Sequence, residues 1–214
     1  MNLTVSEVFF SLNGEGLLMG IPTVFVRLSG CNLRCTWCDT RYAWEGGTEK
    51  SVREVYEAVK NGDNGFCWWV LLTGGEPLLQ DIEELIDVLQ PHYRIGIETN
   101  GSLYEKVLER FNFISVDVKP PSSSNPTEDI DVFEKIIHAI ERRSGQVKAV
   151  IADETDYKFV KAFVEENAIR VPVVLQPCWG KMDYTELCAL YFRTPICTEN
   201  VRVLTQIHKL GGIK

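Results

Sequence analysis

Short apolar runs alternate along the chain with segments whose apolar residues recur at helical spacing. The apolar runs predict six strands, at residues 23–28, 68–72, 94–98, 113–118, 146–151 and 171–175. The segments between them predict five helices, at residues 52–60, 81–89, 104–111, 132–143 and 157–167. Ser51, followed three residues later by Glu54, indicates a capping box at the start of the first helix.

The arrangement of these elements predicts a fold class. Most of the strand runs contain few alternating polar residues, which is typical of strands covered on both faces. Six such strands with helical connections predict a parallel α/β sheet, either open or partly closed into a barrel. A complete eight-fold barrel typically needs about 250 residues, and this chain has 214. We therefore expect an incomplete parallel (βα)6-type partial barrel that forms one domain, residues 1–214.

The composition is that of a soluble globular protein, with 45% apolar and 24% charged residues. The N-terminal segment MNLTVSEVFFSLNGEG has neither a basic region nor a long apolar one, so we expect no signal peptide. No apolar run is long enough to cross a bilayer. The net charge of −8 argues against a nucleic-acid partner, which usually requires a basic face, and favours a small-molecule substrate.

Three of the seven cysteines, Cys31, Cys35 and Cys38, have the spacing C-x3-C-x2-C. An odd number of cysteines with one cluster indicates a reducing cytoplasm and a metal or catalytic use, not a secreted disulfide framework. Four thiolates would close a structural zinc or iron site. In a cubane 4Fe–4S cluster, three cysteines leave the fourth iron free for a small chelating ligand. A zinc knuckle with a distant fourth ligand is the alternative.

Distinctive segments follow five of the six predicted strands. They are SGCNLRC after the first strand, TGGEP after the second, ETNG after the third, DVKPP after the fourth and QPCWG after the sixth. Ligands of parallel α/β sheets bind at the carboxyl ends of the strands. We therefore expect these segments to converge on one binding site.

The cysteine spacing, with Trp37 directly before the last cysteine and TGGEP at residues 73–77, resembles the radical S-adenosylmethionine superfamily. The resemblance implies a partial TIM barrel of that superfamily, with a 4Fe–4S cluster on the three cysteines. It also implies that S-adenosylmethionine chelates the open iron and is cleaved to a 5′-deoxyadenosyl radical. The hard chemistry would then belong to the cofactors, and the protein would orient them and exclude water. In isolation, GGEP could also be an ordinary strand-to-helix turn.

Three further segments narrow the resemblance: SLNGEG at residues 11–16, Asp39-Thr40 after the cysteines, and QIHK at residues 206–209. From about residue 8 to the end, the chain resembles the 7-carboxy-7-deazaguanine synthase family, although that family often has Gln where Asn13 stands. The resemblance implies conversion of 6-carboxy-5,6,7,8-tetrahydropterin to 7-carboxy-7-deazaguanine with loss of ammonia, in 7-deazapurine (queuosine-type) biosynthesis. It further implies Mg²⁺, an electron donor such as flavodoxin or ferredoxin, and a homodimer.

The family resemblance assigns roles to individual residues. It implies that Mg²⁺ binds Thr40. For S-adenosylmethionine it implies contacts with Trp37, Cys38, Asp39, Gly75, Ser115, Val116, Asp117, Gln176, Pro177, Cys178 and Trp179. For the substrate it implies contacts with Leu12, Asn13, Gly14, Glu15, Arg27, Thr73, His208 and the last residue, Lys214. The stretch QPCWG departs from the more frequent family sequence after QP.

Several of these residues have plain structural alternatives. Arg27 lies in an apolar strand, where a buried arginine must be paired, so it could form a structural ion pair. Thr40 could be a cap or turn residue, Glu15 a helix-cap carboxylate, and His208 a surface or packing histidine. Cys67, Cys178, Cys188 and Cys197 lie apart in the sequence without ligand spacing, and we assign them no cluster.

Two other classes of protein share part of these features. A glycyl-radical enzyme activase would share the cysteine triad and GGEP, but SLNGEG, the Asp39-Thr40 continuation and the short His208-Lys209 tail are not expected in it. An iron–sulfur or zinc protein without enzymatic activity would share the cysteines alone. Metal content separates the last class, because a zinc protein is colourless and a cubane protein is brown.

Overall fold

The computed structural model describes all residues, 1–214, and it contains one sheet of nine strands. The strands are β1 Asn2–Leu12, β2 Pro22–Leu28, β3 Thr48–Ser51, β4 Trp69–Gly74, β5 Arg94–Thr99, β6 Phe113–Asp117, β7 Gly145–Ile151, β8 Val173–Pro177 and β9 Val201–Val203. The helices are α1 Val52–Gly62, α2 Glu83–Leu89, α3 Ile130–Arg142, α4 Glu154–Glu166, α5 Tyr184–Arg193 and α6 Ile207–Gly211. None of the helices is both long enough and apolar enough to span a membrane.

The sheet has the order β3-β1-β2-β4-β5-β6-β7-β8-β9, and all neighbours from β2 to β9 are parallel. The six predicted strands correspond to β2 and to β4 through β8, so the prediction of a parallel partial barrel is confirmed. Side chains of β2 alternate between two surroundings. Val24 and Val26 join the apolar core, whereas Phe25 and Arg27 line a cavity on the other face. The concave face of the sheet is therefore the face that carries polar chemistry.

The first strand, β1, was not predicted from the sequence. It pairs antiparallel with both β2 and β3, and its register shifts between Val5 and Glu7. Leu3 and Val5 are buried before this irregularity, whereas after it Phe9 lines the cavity. A bulge reverses which alternating positions face the core, so no single period-two pattern marks the strand.

Four of the five predicted helices form within a few residues of their predicted bounds, as α1 to α4. The capping box is confirmed, because the Ser51 amide donates to Glu54 Oε2 at 2.8 Å and the Glu54 amide donates to Ser51 Oγ at 3.3 Å. The helix predicted at residues 104–111 is wrong: the chain forms only a 3-10 helix, Lys106–Arg110. Val107, Leu108 and Phe111 are nevertheless buried there, so their spacing reflected burial along a short tight turn. The strand β9 and the helices α5 and α6 were not predicted.

Candidate active site

A cavity of about 340 Å³ opens at the carboxyl ends of the parallel strands. The predicted motifs converge on it, because residues of SLNGEG, the cysteine segment, TGGEP, ETNG, DVKPP, QPCWG and QIHK all line its walls. The predicted convergence of these segments on one cavity is confirmed. Four carboxylates (Glu15, Asp39, Glu98, Asp117) and five cations (Arg27, Lys119, Lys148, Lys209, Lys214) line this cavity, so its walls are not acidic although the chain carries −8.

The three clustered cysteines stand on the loop that follows β2, and all three line the cavity. The loop turns back on itself, because the Gly30 amide donates to Ala43 O at 2.9 Å and the Cys31 amide to Trp44 O at 3.2 Å. Cys35 is buried, and burial raises the pKa of its thiol. No three His, Cys, Asp or Glu side chains converge on one metal-ion position. A cubane does not require such convergence, since each thiolate binds a separate iron.

Trp37 fixes the cysteine loop against the loop after β6. Its indole Nε1 donates to Ser122 Oγ at 2.9 Å, and the Ser122 hydroxyl donates to the buried Asp156 carboxylate at 2.5 Å. The ammonium of Lys119 lies 5.2 Å from the centre of the indole ring, within the range of a cation–π interaction. These contacts fix the side chain directly before Cys38 and so limit the positions that the last cysteine can take.

The glycines of TGGEP let two loops touch backbone to backbone. The Gly75 amide donates to Leu28 O at 3.0 Å, and the Glu76 amide donates to Gly30 O at 2.7 Å. A Cβ atom on Gly75 would lie 1.9 Å from Gly30 O, so no larger residue fits without moving the cysteine loop. The second motif therefore supports the first, and GGEP is more than an ordinary turn.

Glu76, the acidic residue of TGGEP, is fully buried behind the cavity wall. It accepts hydrogen bonds from the Asn100 amide at 2.7 Å, the Thr99 hydroxyl at 2.9 Å and the Leu78 amide at 3.1 Å. Burial raises its pKa to about 7. Glu76 thus joins the loop after β4 to the loop after β5, and it holds the wall without lining the cavity.

A cluster of charges, in which Lys148 is buried and its partners are half-buried, lines one part of the cavity, called its floor below. Lys148 Nζ lies 2.6 Å from Glu15 Oε2, 3.5 Å from Glu98 Oε1 and 3.7 Å from Asp117 Oδ1. Lys119 Nζ lies 2.6 Å from the other oxygen of Asp117. Burial opposes the charge of Lys148, but the carboxylates of Asp117, Glu15 and Glu98 raise its pKa well above the usual value. Likewise, burial opposes ionisation of Glu15, but Lys148 holds the pKa of that carboxyl below its usual value.

Arg27 both lines the cavity and forms an ion pair, so both environments considered from the sequence are present. Its side chain lines the cavity, and its Nε donates to Glu7 Oε1 at 2.9 Å. Glu7 also accepts from the Tyr42 hydroxyl at 2.6 Å and pairs with the ammonium of Lys214. The ion-pair alternative is therefore present in the structure, and a role in binding a ligand carboxylate stays a prediction.

The C-terminal segment covers one side of the cavity. The Ile207 amide donates to Gly14 O at 3.0 Å, and Gln206 Nε2 donates to Glu15 Oε1 at 2.5 Å. The ring of His208 packs against Gly14, where a Cβ atom would lie 2.2 Å from the imidazole Nδ1. His208 is therefore a half-buried cavity residue and not a free surface histidine.

Thr40 stands at the N-terminal cap position of a 3-10 helix, Arg41–Ala43, but its side chain makes no capping hydrogen bond. Its hydroxyl instead donates to Asp39 Oδ1 at 2.9 Å, and both residues line the cavity. The capping alternative is thus not supported. A hydroxyl and a carboxylate side by side are oxygen ligands of the kind that Mg²⁺ prefers.

Most of the predicted contact residues line the cavity. For S-adenosylmethionine they are Trp37, Cys38, Asp39, Gly75, Asp117, Cys178 and Trp179, and for the substrate they are Leu12, Asn13, Gly14, Glu15, Arg27, Thr73, His208 and Lys214. Ser115, Val116, Gln176 and Pro177 lie buried in their strands and outside this lining. Gln176 Oε1 is buried without a hydrogen-bond partner, and it does not reach the cavity.

The residue-by-residue assignments omitted several residues of the lining, although some of them lie in ETNG, DVKPP and QIHK, which were singled out from the sequence. The charged or polar ones are Glu98, Asn100, Lys119, Lys148, Gln206 and Lys209, and the aromatic ones are Phe9, Phe25 and Trp44. One signal was available for Lys148, because it interrupts the apolar run VKAVI of a strand that is otherwise buried. The aromatic residues carried no such signal.

A parallel partial barrel with a C-x3-C-x2-C loop and a glycine-braced TGGEP segment at its carboxyl end defines a radical S-adenosylmethionine protein. The profile of the Radical SAM superfamily matches residues 25–151. The chain is 36% identical to the 7-carboxy-7-deazaguanine synthase of Thermoplasma acidophilum, over 97% of this chain and 96% of that protein. It is also 31% identical to the 7-carboxy-7-deazaguanine synthase of Methanospirillum hungatei, over 99% of this chain and 86% of that protein. The chain belongs to the 7-carboxy-7-deazaguanine synthase family of the Radical SAM superfamily.

The fold agrees with a solved structure, the crystal structure of QueE from Escherichia coli, with a TM-score of 0.71 at 23% identity over 96% of this chain and 95% of that chain. Members of this family use a 4Fe–4S cluster and S-adenosylmethionine, and the donor set here fits both groups. Three thiols at one cavity supply the cluster ligands, and Thr73, Gly74 and Gly75 of the loop after β4 line the same cavity beside them. The glycyl-radical activase alternative finds no support among these relatives.

Proposed function

We propose that this protein converts 6-carboxy-5,6,7,8-tetrahydropterin to 7-carboxy-7-deazaguanine, as a carbon–nitrogen lyase of 7-deazapurine (queuosine-type) biosynthesis. The reaction releases one ammonia and is redox-neutral, so no net oxidant or reductant is consumed. The observation that carries the proposal is the convergence of the cysteine loop, TGGEP and SLNGEG on one cavity, in a chain that belongs to the synthase family.

The cysteine loop and its supports form the cofactor side of the cavity. Cys31, Cys35 and Cys38 would hold the cluster, and the loop after β4 would receive the methionyl part of the cofactor. When bound, the cluster and S-adenosylmethionine supply the 5′-deoxyadenosyl radical that takes a hydrogen atom from the substrate. The protein keeps the cysteine loop in place through Trp37 and through the contact between Gly75 and Gly30.

Residues of the opposite wall would bind the pterin. The fork of the Arg27 guanidinium suits the substrate carboxylate, and the side chain lines the cavity while its Nε donates to Glu7. The backbone of residues 12–14, together with Thr73 and His208, would contact the ring system, and the C-terminal segment would exclude water.

Thr40 is proposed as the protein ligand of Mg²⁺, because its hydroxyl faces the cavity beside Asp39. The Thr40 hydroxyl would hold the ion, and Mg²⁺ usually keeps several positions for water or substrate. The reduced form of the cluster requires an electron donor, for which a flavodoxin or ferredoxin is proposed. All seven cysteines are free thiols, which agrees with the reducing cytoplasm proposed as the location. A homodimer is the family expectation for its assembly.

One experiment tests this function directly. The reconstituted protein is incubated anaerobically with 6-carboxytetrahydropterin, S-adenosylmethionine, Mg²⁺ and dithionite, and products are identified by mass spectrometry. We expect a species lighter than the substrate by one ammonia. Cys35→Ala should abolish both the brown colour and the product, whereas Cys188→Ala, in α5 and outside the cavity, should preserve both. Cleavage of S-adenosylmethionine with the pterin left intact would contradict the proposed substrate.

A further inference from the structure

Lys148 is a buried cation to which the proposed function gives no task. It lies on β7 between Val147 and Ala149, both of which are buried, and its own side chain is 7% exposed. Burying an ammonium costs free energy unless carboxylates surround it. An apolar residue at this position of the strand would avoid the cost of burying a charge, so the presence of lysine requires an explanation.

The three carboxylates around Lys148 come from three separate parts of the chain. Glu15 lies in the SLNGEG loop, Glu98 at the end of β5 and Asp117 at the end of β6. Lys148 Nζ lies 2.6 Å from Glu15, 3.5 Å from Glu98 and 3.7 Å from Asp117. The one ammonium therefore links a loop and two strands at the floor of the cavity.

Two of these carboxylates belong to the side proposed for the substrate. Glu15 follows the segment 12–14 and accepts a hydrogen bond from Gln206 in the covering C-terminal segment. Glu98 Oε2 accepts a hydrogen bond from the Thr73 hydroxyl at 3.0 Å. Glu15 and Thr73 are both proposed substrate contacts.

The third carboxylate belongs to the side proposed for the cofactor. Asp117 pairs with Lys119 at 2.6 Å, and the ammonium of Lys119 lies 5.2 Å from the centre of the Trp37 ring. Trp37 directly precedes Cys38, the last cysteine of the triad. The ion pairs of Lys148 thus run from the substrate wall to the support of the cysteine loop.

We propose that Lys148 is a positioning residue that fixes the substrate-side carboxylates Glu15 and Glu98 relative to the cofactor-side carboxylate Asp117. The proposal rests on the proposed function. Without the ammonium, Glu98 would have no cation beside it, and Asp117 would keep only Lys119. Carboxylates that have lost their cation repel one another or take up protons. Either response removes the ion pairs that hold the two walls together.

The consequence for the reaction is a loss of coupling between cofactor cleavage and product formation. Hydrogen transfer requires the reacting atoms to be held in a narrow near-attack geometry, and a misplacement of about 1 Å can cost roughly 100-fold in rate. Cleavage of S-adenosylmethionine does not require the pterin to be aligned. Lys148 should therefore control how much 5′-deoxyadenosine is released for each product molecule.

The test compares Lys148→Met, Lys148→Arg and the wild type as reconstituted holoenzymes. Product and free 5′-deoxyadenosine are quantified in the same anaerobic reactions. In Lys148→Met, which keeps most of the length of the side chain but not its charge, the amount of 5′-deoxyadenosine per product should rise at least about tenfold, within the loss that such misplacement allows. Lys148→Arg restores the charge and should bring the ratio back toward the wild-type value. Lys158→Met, which breaks an exposed ion pair with Glu154 on α4, is the control and should leave the ratio unchanged.

A binding measurement gives a second readout that does not depend on turnover. Calorimetry of the unreactive analogues 6-carboxypterin and S-adenosylhomocysteine, each titrated with and without the other, gives the coupling between the two sites. We expect each analogue to tighten the other at least about fivefold in the wild type, the low end of typical coupling between sites. Lys148→Met should reduce this factor toward one.

The outcomes separate this proposal from the proposed function. If the wild type makes no product, the proposed function fails, whereas the calorimetric coupling still decides the role of Lys148. If Lys148→Met makes less product and proportionally less 5′-deoxyadenosine, with unchanged analogue coupling, Lys148 is only structural and the proposal is overturned. Should Lys148→Met fail to fold, Lys148→Gln replaces it under the same criteria, because its amide can still donate to Glu15.

Discussion

Lys209 of α6 places its ammonium 2.6 Å from the Asp39 carboxylate, and so joins the C-terminal segment to the residue directly after the cysteine triad. Burial opposes ionisation of Asp39, but the hydrogen bond and charge of Lys209 hold the pKa of that carboxyl below its usual value. The Asp39 side chain is 52% exposed and that of Lys209 27%, so the pair resembles a surface ion pair more than a buried one.

Lys209→Met should therefore weaken the attachment of the C-terminal segment, which covers one side of the cavity, only modestly. Surface ion pairs contribute up to about 1 kcal/mol, which corresponds to at most about a fivefold rise in the KM of the pterin, with kcat less affected. Steady-state kinetics measure both constants. Lys135→Met, on the exposed face of α3, is the matched control and should change neither. A large fall in kcat with unchanged KM would mean that Lys209 acts in the chemical step.

The proposed metal site is tested at Thr40, whose hydroxyl now donates to Asp39. Thr40→Ala removes a neutral oxygen ligand and should lower the apparent affinity for Mg²⁺ and slow turnover, without bleaching the cluster. Thr40→Ser keeps the hydroxyl and should retain most of the Mg²⁺ dependence. Activity is measured across a Mg²⁺ titration, with the cluster absorbance recorded in parallel. If a chelator does not change the activity of the wild type, and Thr40→Ala is fully active, Thr40 is not a Mg²⁺ ligand.

Arg27 is tested by separating substrate binding from cofactor cleavage. A charge-assisted hydrogen bond to a carboxylate contributes roughly 1.5–3 kcal/mol, so Arg27→Ala should weaken kcat/KM for the pterin by about 10- to 100-fold. Arg27→Lys keeps the charge but loses the planar fork and should rescue only in part. Cluster assembly and slow release of 5′-deoxyadenosine without substrate should survive. If both are lost, the ion pair with Glu7 is the main role of Arg27; if the pterin reacts normally, its carboxylate is bound elsewhere.

The buried carboxyl of Glu76 should make the free energy of unfolding depend on pH. Burial raises its folded-state pKa from 4.5 to about 7. Between these two values the unfolded chain loses the Glu76 proton while the folded protein keeps it. The folded state then binds more protons, so this residue makes stability fall as pH rises through the window.

Glu76→Gln removes the titration, although its amide cannot accept all three hydrogen bonds and the variant should be less stable throughout. The difference in unfolding free energy between wild type and variant should shrink by about 3 kcal/mol as the pH rises from 4.5 to 7. Anaerobic urea unfolding at several pH values measures it. Glu83→Gln, at an exposed position of α2, is the control. A difference that does not change with pH would show that Glu76 is ionised in the folded protein.

Much of the fold and the position of the site followed from the sequence. The apolar runs that became β2 and β4 to β8 are short and nearly continuous, and buried parallel strands leave that pattern more clearly than any other element. The motifs after those strands had to meet because parallel strands present their carboxyl ends at one edge. The spacing of the cysteines then indicated the chemistry of that edge.

The parts that could not be predicted depend on contacts between distant residues. A bulge hides β1, because it moves the cavity-facing positions from one parity to the other after Val5. The helix predicted at 104–111 failed because spacing reports which residues are buried and not which kind of turn buries them. Glu98 and Lys119 lie in ETNG and DVKPP, which were expected at the site, but their individual roles could not be predicted, because the link between them passes through Lys148 and Asp117.

The excess of one cation over the carboxylates lining the cavity, in a chain of net charge −8, has a consequence for how an anion reaches the site. At low ionic strength the acidic protein as a whole repels an approaching anion, whereas at physiological ionic strength, where the Debye length is about 8 Å, that repulsion is largely screened. Close to the cavity the anion meets the cations of its lining, among them Arg27, Lys209 and Lys214. Encounter with an anionic substrate is thus not accelerated by long-range steering, and moderate salt should leave the association rate unchanged or raise it by screening the repulsion.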